Sequence, residues 1–254
     1  MMRIVVIGGT GQIGFRVVTK LRTLGHSVLV ASSSTGVDII SRKGLDEALV
    51  GAEIVIDATN KIAMDRDSAI GFFGTAARNI LNAEIAAGVS HHIALSVLNG
   101  ERLSESGYIA GKLAQEQVIR QGPVPYTLVQ AAQFFELVPM MVQMMAVDGV
   151  ARLPHVLFQP IAAEEVADTL VEIAMRAPAN GDYRVAGPEA FRMDELAARY
   201  VSETGGTTRI LPDPNGTYFG APLTENMLMP GEGTHIRWTS FGKWMARRVI
   251  AAAA

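Results

Sequence analysis

"RIVVIGGTGQIG", residues 3–14, decides the fold. Ile4, Val5, Val6 and Ile7 run without polar alternation, so the strand they form has no face for water. Such a strand lies inside a parallel sheet covered by helices on both sides. Gly8, Gly11 and Gly14 follow at three-residue spacing. Ile13, Val17, Val18, Leu21 and Leu24 then recur at helical intervals, and Gly25 is placed to end that helix. A glycine turn between a buried strand and an amphipathic helix reads as a phosphate cradle; the alternative is a tight structural turn in a protein that has lost its cofactor. Glycine lets the chain turn tightly and lets backbone approach a pyrophosphate without a Cβ in the way. Free N–H groups at the helix start, aided by its dipole, bind the anion. Gly8, Thr10, Gly11, Gln12, Ile13 and Gly14 are therefore the expected dinucleotide-binding residues.

The same alternation continues outward from that turn. "HSVLVASSS" (26–34) reads as a strand, "GVDII" (36–40) as a short third one, "KGLDEALVGA" (43–52) as a helix and "EIVIDATN" (53–60) as a strand. A long helix over about 67–87, ended by Gly88, precedes the strand "HHIALSV" (91–97). A helix carrying Tyr108 and Lys112 runs to about Gln121, and "PYTLVQAAQFF" (125–135) and "GDYRVAG" (181–187) complete the strands. The predicted fold class is α/β, a Rossmann-type doubly wound parallel sheet with a small C-terminal α-rich cap. Residues 1–187 would form the dinucleotide-binding domain and 188–254 the cap, with about 137–160 contributing to it and no flexible linker between. The closing alanines, 251–254, read as a frayed helix end.

Composition narrows the function. The chain has 254 residues, 49% of them apolar, enough for a sizeable core. A net charge of −3 gives no basic surface for nucleic acid. The absence of cysteine excludes disulfides and thiolate chemistry and fits the cytoplasm. No apolar run approaches the roughly 20 residues that span a bilayer, and no basic leader precedes "RIVVIGG", so neither membrane nor export is expected. His91 and His92 are neighbours in a strand, face opposite sides and cannot share a metal, so no metal is expected.

The strand ending "VASSST" lacks the carboxylate that takes NAD ribose hydroxyls. Ser32, Ser33 and Ser34 offer small hydroxyls to a 2′-phosphate, with Arg42 or Lys43 as added charge. NADP is thus preferred over NAD; the alternative is a plain serine turn. Asp38 is placed for the adenine amine, and Ala58, Thr59 and Asn60 for the cofactor groove. In "SGYIAGKLAQE" (106–116), Tyr108 and Lys112 share a helix face. An ammonium beside a phenol lowers its pKa and makes it a usable general acid. The competing reading is an ordinary amphipathic Tyr–Lys pair. Ser96, at a strand end, could donate to a substrate oxygen. Gln133, Phe134 and Phe135 follow the next strand, where substrate sits. Either phenylalanine could stack on a flat ring such as a quinone, or pack in the core. Met140, Met141, Met144 and Met145 are a soft pocket wall or packing under the cap. His155 could enter the pocket or be a surface or packing residue, and Trp238 and Trp244 are cap core.

Together Gly8-x-x-Gly11-x-x-Gly14, strand-end Ser96 and Tyr108-x-x-x-Lys112 resemble the short-chain dehydrogenase/reductase superfamily. The glycine spacing, the C-terminal cap and "PIAAEEVADTL" (160–170) are similar to its atypical, NmrA-like branch. The resemblance covers nearly the whole chain. It implies a Rossmann-type sheet, bound NAD(P), and a small-molecule substrate held between sheet and cap. Tyr108 would be the proton donor, Lys112 its helper and a ribose ligand, and Ser96 an auxiliary donor. The branch includes both reductases and regulators that bind dinucleotide without turnover. Gln130 departs from the pattern, standing where related chains often carry arginine. The helix of 67–87 and the Tyr108 helix are candidate homodimer faces.

Overall fold

The computed structural model describes the chain from Met1 to Ala253, with side chains as far as Arg248. The frayed end expected at 251–254 runs beyond that description. Seven strands form one parallel sheet: β1 (Arg3–Ile7), β2 (Ser27–Ala31), β3 (Ile54–Asp57), β4 (His91–Val97), β5 (Tyr126–Ala131), β9 (Gly181–Ala186) and β14 (His235–Ile236). Their order is β2-β1-β3-β4-β5-β9-β14. The chain direction across the sheet reverses between β1 and β3, which opens a crevice at their carboxyl ends. Ile4, Val5 and Val6 of β1 are wholly buried, as a run without polar alternation requires.

Helices cover both faces. On one lie α1 (Gln12–Thr23) and α6 (Ala163–Ala174). On the other lie α2 (Leu45–Leu49), α3 (Arg66–Ala87) and α4 (Gly107–Gln121). α3 begins where Asp65 accepts a hydrogen bond from Ser68 N at 2.8 Å, and ends at Gly88 in a left-handed conformation. α3 and α4 pack closely because Gly111 has no side chain: a Cβ there would stand 2.6 Å from the Phe73 ring. This contact sets the depth of α4, and with it of Tyr108 and Lys112.

The remaining elements build the cap. They are α5 (Leu137–Met145), β6 (Ala146–Val147), β7 (Val150–Pro154), β8 (Leu157–Phe158), β10 (Phe191–Arg192) and α7 (Met193–Glu203). β11 (Arg209–Asp213), β12 (Thr217–Tyr218), β13 (Ala221–Pro222) and α8 (Phe241–Ala253) complete it. Phe135, Phe158, Leu196, Phe241 and Trp244 form its apolar centre.

Some expectations are corrected. Residues 36–40 form no strand; the Asp38 carboxylate instead accepts from Ile40 N at 2.8 Å and Ser41 Oγ at 2.7 Å, which coils the segment into a turn. Leu24 caps α1 and is exposed. Trp238 is 62% exposed, its ring lying against the Arg237 guanidinium. Met144 and Met145 face outward, so they wall no pocket. His91 and His92 are both buried: His91 bonds Thr127 Oγ1 at 2.9 Å, and His92 bonds Glu84 at 2.6 Å. Burial disfavours the His92 cation, but the Glu84 carboxylate outweighs it and raises His92 above its ordinary value. Among the described residues, no helix is long and apolar enough to cross a membrane.

Candidate functional site

One cavity of about 460 Å³ runs along the carboxyl ends of β1, β3, β4 and β5 and under the cap. Its first end is the glycine turn. Gly8 has φ +71°, and a Cβ there would meet Ala58 O at 2.8 Å. Gly14 lies beneath the turn, where a Cβ would stand 2.2 Å from Gly8 O. Gly14 therefore lines no cavity but lets α1 pack against the loop, as the close helix–strand approach requires. Gly8, Thr10, Gly11, Gln12 and Ile13 line the cavity, and so do Ala58, Thr59 and Asn60 across the crevice. Thr59 Oγ1 is buried without a partner. A cradle that a Cβ would fill, with an orphaned hydroxyl beside it, suits the pyrophosphate of a dinucleotide.

The adenosine end is less uniform. Ser32, Ser33 and Asp38 line the cavity; Ser34 does not, its hydroxyl lying 2.9 Å from Ser32 Oγ. Arg42 bonds Asp46 at 2.7 Å and is not among the lining residues. Asp38 is held below the usual carboxylate range by its hydrogen bonds from Ser41 and Ile40, so this end keeps an anionic group.

At the other end the structure brings Ser96, Tyr108, Lys112, Gln133 and Phe134 onto the same cavity. Gly107 opens α4, and Ser106 caps it by accepting from Ile109 N at 3.3 Å. The first two turns thus present Tyr108 and Lys112 together. Their electrostatics differ from the expectation. Burial pushes Tyr108 up to about 12, with no lowering by Lys112. Burial also brings Lys112 down to about 8, against the pull of Asp57 and Glu116. The Lys112 ammonium donates to Gln115 Oε1, and Gln115 Nε2 donates to Asp57 Oδ2 at 2.7 Å. Asp57 Oδ1 accepts from Thr59 N at 2.8 Å. The lysine is thus tied to the tip of β3 through a buried amide, and the phenol is left unactivated.

Phe135 is a correction. It is wholly buried against Phe241 and Trp244, at ring distances of 5.7 and 5.5 Å. Phe135→Ala should cost about 3–5 kcal/mol in denaturant unfolding and leave dinucleotide affinity unchanged. An effect on affinity with no loss of stability would return Phe135 to the cavity. His155 bonds Asp194 at 3.0 Å and lies outside the cavity. Gln130 is also buried, donating to Glu116 at 3.2 Å.

Tyr218 and Phe219 escaped the sequence reading. β12 and β13 pair Tyr218 with Ala221, which leaves Phe219 and Gly220 as a two-residue hairpin turn. Both have positive φ, +47° and +85°, the type I′ geometry that favours Asn-Gly. Holding a phenylalanine there costs about 1–2 kcal/mol. The hairpin sets Phe219 5.1 Å from the Tyr108 ring and brings Tyr218 to the cavity wall. A Phe-Gly pair between Tyr and Ala was the one available signal.

The fold has known parallels. A dTDP-4-dehydrorhamnose reductase of Bacillus anthracis, solved with NADP, superposes over 100% of both chains with a TM-score of 0.74 at 17% identity. The UDP-glucose 4-epimerase of Thermus thermophilus, solved with NAD, matches over 90% of this chain and 92% of that one, with a TM-score of 0.69 at 16% identity. The fold is the Rossmann-type fold of these enzymes. At such identities the likeness establishes the fold alone. No family model matches the chain. A curated relative, the photosystem II assembly factor Ycf39 of Synechocystis, is 26% identical over 149 residues. The match covers 53% of this chain and 46% of that protein, so the chain spans about half of the curated relative it matches.

Proposed function

We propose that this chain is an NAD(P)-dependent oxidoreductase of the atypical, NmrA-like short-chain type, working in the cytoplasm. The substrate is a small carbonyl or quinone-like compound. The observation that carries this reading is the sharing of one cavity by the glycine cradle and by Ser96, Tyr108 and Lys112. When bound, the dinucleotide supplies or takes a hydride. Gly8, Gly11 and the start of α1 hold its pyrophosphate, and Asp38 borders its adenosine. Lys112 is placed for its nicotinamide ribose. Tyr108 gives the proton to the substrate oxygen, and Ser96, whose hydroxyl is buried and unpartnered, donates a hydrogen bond to it. NADP is the preferred form, because β2 ends at Ala31 and is followed by Ser32 and Ser33 in place of the strand-end carboxylate that takes the ribose hydroxyls of NAD.

A second reading has its own observation. With Tyr108 at about 12 and Lys112 engaged by Gln115, the pair is arranged more as a clamp than as an acid and its activator. The Synechocystis relative is moreover named for assembly, not for a reaction. On this reading the chain binds dinucleotide, senses its redox state and turns nothing over.

Titration with NADPH and NADH, followed by turnover against a panel of quinones and aldehydes, separates the two. The oxidoreductase reading expects NADPH to bind at least tenfold tighter than NADH and to be consumed with some acceptor. Tight binding without consumption across the panel moves the sensor reading to first place.

A further inference from the structure

Gln133 is the least explained polar residue of the cavity. Its carbonyl accepts from Ile161 N at 2.8 Å, and Phe134 bridges to Ile161, so its backbone is fixed. The side chain is 4% exposed, and neither Oε1 nor Nε2 has a hydrogen-bond partner. Tyr218 is close enough to feel the carboxamide, yet no hydrogen bond of good geometry joins them. Ser96 Oγ, on the same cavity, is equally orphaned. A leucine would fill this volume with no buried donor and acceptor left idle, and unpaired buried amides are selected against. A ligand that completes the carboxamide explains its presence.

A carboxamide presents a donor and an acceptor side by side. Its complement is an edge with an acceptor and a donor in the same spacing, as in a cyclic amide. Tyr108, Phe134, Tyr218 and Phe219 line the same cavity. We propose that Gln133 is the substrate-reading residue of this cavity, and that the substrate is a flat ring ketone carrying a cyclic amide edge. That edge meets Gln133 in two antiparallel hydrogen bonds while the ring lies along the aromatic wall.

The ketone rests on the oxidoreductase reading: its carbon takes the hydride, its oxygen takes a proton, and an alcohol and oxidised dinucleotide result. The amide is unchanged by the reaction, and its recognition rests on Gln133 alone.

Isatin and N-methylisatin are a matched pair, both ring ketones, of which only the first carries the N–H. Calorimetric titration of the protein with each, with and without NADP⁺, should show isatin binding at least tenfold tighter, since sites built for an N–H reject analogues that lack it. Gln133→Leu should bring the two affinities within twofold and leave the melting temperature unchanged or higher. Gln133→Met serves if the leucine variant does not fold. Three results would each overturn the proposal: equal affinities in the wild type, a preference that survives in Gln133→Leu, or a tenfold loss of NADP⁺ affinity in that variant. The last would assign the carboxamide to the cofactor. NADPH consumption is assayed separately. A Gln133-dependent preference without turnover would sink the oxidoreductase reading and leave the recognition standing.

Discussion

Gly14→Ala should abolish dinucleotide binding, with at least a hundredfold loss of affinity, and should destabilise the fold by about 2–3 kcal/mol. The reason is steric and local. An ideal Cβ at this position stands 2.2 Å from Gly8 O and 2.7 Å from Gly9 Cα. Both are backbone atoms of the cradle, so nothing flexible can give way. Either α1 withdraws from the loop or the loop leaves the geometry that offers its N–H groups to an anion. Gly11 provides the contrast. A Cβ there comes no nearer than 3.2 Å to any atom, and Gly11 has an ordinary φ of −77°. Gly11→Ala should therefore melt within a few degrees of the wild type while still weakening the dinucleotide, because Gly11 lines the cavity. Melting curves and NADPH titrations of the two variants test this. Equal stability of Gly14→Ala and wild type would show that the turn is looser than its contacts imply.

These glycines were legible in the sequence because their reasons are local: a strand without polar alternation, a helix period, and no room for Cβ between them. The tie from Lys112 through Gln115 to Asp57 was not legible. Its ends lie 55 residues apart in sequence (112 − 57), and only the packing of α4 against the sheet brings them together. Phe134 and Phe135 show the same limit on a smaller scale. The two phenylalanines stand side by side between Gln133 and Glu136, so periodicity cannot say which of them faces the cavity and which the cap. The segment 36–40 misled for the opposite reason. Val37, Ile39 and Ile40 have strand composition, but the Asp38 side chain offers the backbone a turn, and turn hydrogen bonding prevailed. Tyr218 and Phe219 were hidden because their hairpin holds a phenylalanine where turn chemistry favours asparagine.

Tyr108→Phe should lower reduction of a simple ketone by about 10²–10⁴-fold, the usual contribution of a positioned acid, with NADPH affinity unchanged. The pH profile is the more telling result. Burial sets Tyr108 at about 12, so the phenol keeps its proton throughout the working range, as a donor must, while being a weaker acid than a free tyrosine. Lys112, brought down to about 8, carries its charge below that value and loses it above. Reduction should therefore be level at neutral pH and fall above about pH 8, as the ammonium proposed to hold the nicotinamide ribose is neutralised. Lys112→Arg should abolish this alkaline limb, because a guanidinium does not deprotonate in a protein. The reverse reaction needs the phenolate, and at neutral pH a phenol of pKa about 12 supplies very little. The chain should thus reduce far better than it oxidises near neutrality, with alcohol oxidation gaining steeply as pH rises. A level profile for reduction through about pH 10, the range of an unperturbed lysine, would show that Lys112 takes no part. A loss centred near pH 10 would show that an ordinary, exposed lysine governs it. Either result would take Lys112 out of the reaction, and Tyr218, which lines the same cavity, would be the next residue to replace.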